Sequence, residues 1–170
     1  LLTEARILIS PFVIPALFTA ALWFFILMAF GERSGSHAIK AFVAFLLGIV
    51  SAVLTLYVVV VQESLYQDTF NPEDPAMTQF FHFLSGVALR EEFLKLLCYL
   101  PMVIWMRQQG RPIEALVLGG MVGLGFAFQE NLLYFEAGSG TFTPWLRLLT
   151  ANALHFSLTG IAGYYLWSML

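Results

Sequence analysis

The chain of 170 residues is 59% hydrophobic and only 11% charged, with a formal net charge of −3 and a mean hydropathy of +0.81. Soluble domains are about half apolar and about a quarter charged, so the shortage of charge excludes an ordinary soluble domain and predicts a membrane protein. The single cysteine, Cys98, excludes a disulfide within the chain and does not indicate the compartment.

Five apolar stretches are long enough to cross a bilayer as helices, which takes about 20 residues each. They predict an all-α, polytopic membrane helix bundle that forms a single integral membrane domain over residues 1–170. Because the chain begins at Leu1 without Met and ends at Leu170 without a polar tail, we expect it to be a fragment of a longer protein. The predicted spans are residues 11–30, 38–62, 78–106, 113–135 and 145–170.

Lysine and arginine residues in the connecting loops predict the orientation of these spans. The first loop contains Arg33 and Lys40, and the third contains Arg107 and Arg111, whereas the second and fourth contain neither residue type. Basic loops stay in the cytoplasm. We therefore expect a multi-pass protein of the cell membrane, inner or plasma, with the N-terminus of the chain outside and its C-terminus inside.

The third predicted span contains four charged side chains in the stretch ALREEFLKLL, residues 88–97, namely Arg90, Glu91, Glu92 and Lys95. A charge at mid-membrane costs about 2.5–3.5 kcal/mol on insertion scales, so these groups must pair or face a protected cavity. A structural pair between Glu91 and Lys95, one helical turn apart, accounts for one carboxylate. The other has no obvious local partner, which favours a functional site.

Two further spans carry polar groups at a similar depth. The fourth contains Glu130 and Asn131, and the fifth contains Asn152, His155 and Thr159. Counted at about 1.5 Å per residue, the acidic pair of the third span, Glu130 and His155 all fall in the outward half of the membrane. Three spans thus place ionisable side chains at the same membrane depth, which is expected of a functional site and not of unrelated polar residues.

A ridge of small residues in the fourth span supports this interpretation. It runs from Ala115 through Gly119 and Gly123 to Ala127, at spacings of four residues. Small residues let membrane helices approach closely. Close packing of this span would bring Glu130 near the acidic pair and the histidine.

The residue types suit hydrolysis by an activated water. Two adjacent carboxylates in unlike surroundings can divide the roles of base and acid, and a histidine can transfer a proton or stabilise an oxyanion. The sequence contains no evident Gly-x-Ser-x-Gly, His-Glu-x-x-His or Cys–His pattern. Water activated by a glutamate is therefore the natural nucleophile, and peptide hydrolysis fits.

These motifs resemble those of the PrsW family of intramembrane proteases. The stretch EEFLK (Glu91, Glu92, Lys95), the stretch FAFQE ending at Glu130, and then His155 match its Glu-Glu-x-x-Lys, Phe-x-x-x-Glu and histidine motifs, each on a separate span. The resemblance covers the third to fifth spans. It implies a glutamate-dependent protease, related to the CAAX-processing and bacteriocin-processing membrane proteases, that makes the site-1 cleavage of a membrane-bound anti-sigma factor.

The resemblance also suggests a role for each site residue. Glu91 is the expected base on water, with Glu92 and Lys95 orienting it, and Glu130 and His155 complete the site; the roles of Glu91 and Glu92 are exchangeable. The CAAX relatives have His and Asn where this chain has Glu130 and Thr159, which leaves the oxyanion donors open. Asn131, Asn152 and Thr159 are the candidate substitutes, and we expect His155 together with Asn152 or Asn131 to act as the donors. The expected supporting residues are Arg90, Lys95, Asn131, Asn152 and Thr159.

We expect no cofactor, because the cations of the third span offset the charge that a metal ion would neutralise. The alternative is a zinc ion held by Glu91, Glu130 and His155. The expected partners are a membrane-anchored protein or peptide substrate and the lipid bilayer, without nucleic acid; the oligomeric state is undetermined. Two other functions stay open: a transporter or proton relay, since intramembrane acids mark such paths, and a non-enzymatic membrane scaffold.

Overall fold

The computed structural model describes residues 13–30, 35–66, 73–107, 111–136, 146–147 and 149–170. Within these ranges every regular element is helical, and each predicted span contains one helix or more, which confirms the all-α class. Residues 11, 12, 145 and 148 of the predicted spans, and Arg33 of the first loop, lie outside the described ranges. The elements are α1 (Val13–Phe30), α2 (Gly35–Tyr66), α3 (Ala76–Phe81), a π-helix (His82–Ala88), α4 (Leu89–Met106), α5 (Pro112–Glu136) and α6 (Ala151–Met169).

The sequence suggested one continuous α-helix for the third predicted span, whereas the structure has a π-helix between two α-helices there. Residues His82–Ala88 form a π-helix, and right-handed helical dihedrals at Phe81 and Leu89 join it to α3 and α4. Helix α4 then continues through Pro101 and ends at Met106. π-Helical turns occur frequently at functional sites, and this one ends three residues before Glu91.

The fifth predicted span also differs from the structure at its start. The regular helix α6 begins at Ala151 rather than near residue 145. A single helical turn precedes it, in which the backbone N–H of Thr150 donates to the carbonyl oxygen of Leu146 over 2.9 Å. Arg147 of this turn contacts Glu130 and Asn131 of α5.

Helix α5 lies at the centre of the bundle. Every residue from Val117 to Ala127 is buried, as expected of a helix that is apolar on all sides. It packs against α1, α2, α4 and α6. Contact with α5 therefore fixes where the surrounding helices hold the predicted site residues.

The outer helices present large apolar side chains to their surroundings, including Phe25 at 72% and Ile39 at 68% exposure. Two stretches, His37–Gln62 and Pro112–Phe135, are long and apolar enough to cross a membrane, and Val13–Ala29 is a shorter apolar helix. The chain is thus a membrane-embedded helix bundle. The crossing of all five predicted spans and their orientation stay predictions.

Basic residues cluster at one end of the bundle. Lys40 Nζ lies 2.7 Å from Glu114 Oε1 and 5.4 Å from the ring centre of Trp105. These contacts join the start of α2, the start of α5 and the end of α4. Arg107 and Arg111, which belong to the connection between α4 and α5, lie at this same end.

Candidate active site

Glycines of α5 allow α6 to pack against it with direct backbone contact. A β-carbon at Gly123 would overlap the carbonyl group of His155, and one at Gly119 would lie 2.8 Å from the carbonyl oxygen of Thr159. Heavy atoms that close must move apart, so only glycine permits this packing. Two members of the small-residue ridge therefore lie where the sequence analysis expected them, and they place His155 against α5.

Lys95 lies at the centre of the polar cluster and is fully buried. Its Nζ is 2.7 Å from Glu92 Oε1 and 3.8 Å from Glu91 Oε2. It also lies 3.9 Å from the ring centre of Phe126, a cation–π contact. The sequence suggested the pair with Glu91, whereas the shorter contact joins Lys95 to Glu92, because residues three apart also share a helix face.

His155 uses both ring nitrogens within the cluster. Its Nδ1 is 2.8 Å from Lys95 Nζ, and its Nε2 is 2.9 Å from Glu130 Oε2. A lysine ammonium has donors and no acceptor, so Nδ1 accepts from Lys95. The proton of the neutral imidazole is then on Nε2, which donates to Glu130.

Arg147, which the sequence analysis did not include among the site residues, binds the same carboxylate. Its Nη2 donates to Glu130 Oε2 over 2.8 Å, and its Nε donates to Asn131 Oδ1 over 2.6 Å. Its guanidinium carbon also lies 3.8 Å from the ring centre of Tyr134. The sequence spacing could have revealed this residue. Arg147 precedes His155 by eight residues, about two helical turns, which would place both side chains on one helix face.

The two asparagines contact each other, and one of them contacts Arg147. Asn131 Nδ2 donates to Asn152 Oδ1 over 2.8 Å, and the Oδ1 of Asn131 accepts from Arg147. Both asparagines are buried, and neither is among the residues that line the cavity. Their placement fits a supporting role and gives no support to their use as oxyanion donors.

The two adjacent glutamates have different surroundings. Both oxygens of Glu92 are engaged, Oε1 by Lys95 at 2.7 Å and Oε2 by the hydroxyl of Thr159 at 2.9 Å. Glu91 has only the longer 3.8 Å contact with Lys95 among the residues that the structure describes. Arg90, the other cation of this motif, donates instead to Gln62 Oε1 of α2 over 2.9 Å.

The structure brings the predicted catalytic residues around one cavity of about 280 Å³ between α4, α5 and α6. The carboxylates, the imidazole and the guanidinium on its wall offer both acceptors and donors, and a buried water needs two to four such partners. The cavity can therefore hold a water next to Glu91. Its lining consists of Ala88, Glu91, Glu92, Glu130, Arg147, Ala151, Leu154, His155 and Leu158.

The alternative of a metal site can be tested against the same geometry. Carboxylate and imidazole are suitable zinc ligands, and Glu91, Glu130 and His155 do share the cavity. However, His155 accepts from Lys95 at one nitrogen and carries a proton on the other, so it has no free lone pair. The described residues contain no group of three side chains placed to hold a metal ion. As arranged, these side chains do not fit a bound metal.

Comparison with known families is consistent with the motifs. A family model described as PrsW family intramembrane metalloprotease matches residues 37–170, which include every candidate site residue. No curated protein matches the chain, and no solved structure does. The match decides for a peptide hydrolase over a transporter or a scaffold. With most of its length matched, the chain belongs to the PrsW family of intramembrane metalloproteases.

Proposed function

We propose that this intramembrane protease cleaves a membrane-anchored protein with a water molecule that Glu91 activates. The observation that carries the proposal is the difference between the two glutamates. Glu92 is held at both oxygens by Lys95 and Thr159, whereas Glu91 lines the cavity with one longer ionic contact. A general base needs a lone pair within hydrogen-bonding reach of its water, so Glu91 is the better candidate.

The reaction would proceed in two steps. Glu91 first takes a proton from the water as the water oxygen attacks the carbonyl carbon of the scissile peptide bond. It then returns that proton to the amide nitrogen as the carbon–nitrogen bond breaks. The products are a new carboxylic acid and a new amine, so atoms and charges balance.

Arg147 and His155 are the candidate donors to the oxyanion that forms between these steps. Arg147 Nη2 and His155 Nε2 contact the same oxygen of Glu130, at 2.8 and 2.9 Å. Because they converge on one atom, the two donors lie side by side at the cavity wall. Such preorganised donors are usually the largest single contribution to transition-state stabilisation. Before the reaction Glu130 would hold both donors in place, and as the oxyanion forms the single N–H of His155 would turn from Glu130 to the oxyanion. Lys95 would fix the tautomer of His155 throughout.

The family description includes a metal, whereas the donor set of this chain does not fit one while Lys95 contacts His155. We therefore propose that the chain's own carboxylate activates the water directly. The positive charges that a metal would supply come from Lys95 and Arg147, each of which contacts a site carboxylate at 2.7 or 2.8 Å.

We further propose that cleavage occurs near the outer face of the membrane. Glu130 follows Glu114 by sixteen residues in α5, about 24 Å along the helix axis. Glu114 marks the basic end of the bundle, which the charge rule assigns to the cytoplasm. A site in the outward half suits the first cut of a two-step cleavage, with a membrane-bound anti-sigma factor as the substrate that the family resemblance implies.

Reconstitution tests this function. The protein would be placed in lipid vesicles with single-span peptides that carry the outer juxtamembrane segment of a membrane-bound anti-sigma factor. We expect mass spectrometry to detect fragments cut within or just outside the outer half of the span. Cuts confined to the opposite end of the span would contradict the proposed orientation, and intact peptides would contradict the proposed substrate.

A further inference from the structure

A second cavity lies on the other side of the catalytic carboxylates, between α2, α4 and α5. Its volume is about 180 Å³, and Glu91 and Glu130 line both cavities. The two spaces therefore share these two residues, beside which the scissile bond would lie in the proposed mechanism. Most of its wall is apolar and is formed by Ala52, Leu56, Val59, Phe126 and Leu133, while Thr55, Arg90 and Gln129 add polar groups.

The packing of α2 on α5 explains why this cavity exists. The two helices touch through glycines, since a β-carbon at Gly48 would overlap the carbonyl oxygen of Val122 and one at Gly125 would overlap that of Phe45. Ala52 comes one turn after Gly48 and is the first residue of α2 to line the cavity. A small residue at this position leaves space where a larger side chain would close it.

We propose that this cavity is a specificity subsite that receives an apolar side chain of leucine or phenylalanine size from a substrate residue next to the scissile bond. The inference rests on the proposed function. An apolar protein cavity of about 150 Å³ can hold a benzene molecule, so the observed volume suits such a side chain. Glu91 at its edge places the attached backbone beside the base.

The position of the subsite also determines which substrates reach the base. A substrate side chain that enters between α2 and α5 holds its own carbonyl group, or that of its neighbour, over Glu91 and Glu130. Specificity in hydrophobic pockets is modest, at about 10- to 200-fold per methylene gained or lost. We therefore expect a graded preference for size and apolarity rather than recognition of one residue.

Two substitutions change the cavity in opposite directions. Ala52→Leu should fill it, and Val59→Ala should enlarge it. Ala38→Leu and Val53→Ala are the matched controls, because Ala38 and Val53 are exposed residues of the same helix and do not line the cavity. Each protein would be reconstituted in vesicles with a mixture of single-span peptides whose outer juxtamembrane segment is randomised, and the cut sites would be read by mass spectrometry.

The wild-type protein should favour Leu or Phe at one of the two residues that flank the cut. Ala52→Leu should shift the preference there toward Ala by at least about tenfold in kcat/KM, and Val59→Ala should shift it toward larger aromatic residues, with both controls unchanged. Cleavage with the same preference in Val59→Ala and in folded Ala52→Leu would overturn the subsite alone, as expected if the cavity held a lipid chain. No cleavage of any peptide by the wild-type protein would overturn the proposed function and the subsite together.

Discussion

Lys95 Nζ lies 2.8 Å from Nδ1 of His155, and this contact joins α4 to α6 inside the bundle. Because lysine can only donate, the contact leaves the imidazole proton on Nε2, where it points to Glu130. Lys95 therefore does more than neutralise the acidic pair. In the proposed mechanism it would determine which nitrogen of His155 donates to the oxyanion, and its contact occupies the Nδ1 lone pair that a metal ion would need.

Removal of this lysine should impair both catalysis and stability. We expect Lys95→Met to lower kcat by about 100-fold or more, because His155 loses its fixed tautomer. The stability should fall by on the order of 3 kcal/mol, because Glu92 keeps its charge without its cation. Cleavage of a reconstituted peptide and thermal unfolding in detergent measure the two effects.

The matched control for this substitution is Lys40→Met. It removes the ion pair with Glu114 at the basic end of the bundle, whose Nζ–Oε1 distance is 2.7 Å. The control should lower stability and leave the kcat of the folded protein near that of the wild type. A wild-type kcat in Lys95→Met would show that the contact with His155 is only structural.

Cleavage and stability should depend on the close packing of α5 against α6 as strongly as they depend on the charged groups. Gly123→Ala places a methyl group against the backbone of His155, and overpacking of this kind costs about 1–3 kcal/mol. We expect a lower melting temperature and a marked loss of cleavage, because the histidine moves away from Glu130. Gly86→Ala is the control, since a β-carbon at Gly86 would have no neighbour within 4 Å among the described residues. Equal activity in the two variants would argue against close packing as a requirement.

Arg147 provides a test of the oxyanion donors. Arg147→Lys keeps the positive charge but cannot contact Glu130 and Asn131 together, because lysine lacks the planar fork of arginine. We expect kcat to fall by roughly 100-fold, as when one oxyanion donor is removed, with little change in KM. The exposed Arg107 serves as the control through Arg107→Lys. An effect on KM alone would instead indicate a role in substrate binding.

The arrangement of His155 predicts how the enzyme responds to metal removal. We expect purified protein to contain no stoichiometric metal and to retain proteolysis in strong chelator, because both imidazole nitrogens are already engaged. Elemental analysis and cleavage with and without chelator measure this. One zinc ion per chain, with activity lost on chelation and restored by zinc, would overturn the prediction and make the carboxylates ligands.

Hydropathy and helical counting predicted much of this arrangement. Apolar runs located the helices, and residue counts along them predicted that Glu91, Glu130 and His155 would meet, as the shared cavity shows. The π-helix at His82–Ala88 was not predictable, because its apolar residues suit an α-helix equally well. The pairing of Glu92 with Lys95 depends on side-chain rotamers, which spacing alone does not determine.

The central claim is that cleavage requires the carboxylate of Glu91, which we propose as the base that activates the water. It is tested most directly by the single-turnover cleavage rate of a vesicle-reconstituted peptide substrate in wild-type protein and in Glu91→Gln, which keeps the shape of the side chain and removes its basicity. Glu73→Gln, at an exposed residue outside the site, controls for the loss of a carboxylate. We predict a fall of about 10²- to 10⁴-fold in Glu91→Gln alone, the usual contribution of a general base. A folded Glu91→Gln variant that cleaves at nearly the wild-type rate would contradict the account.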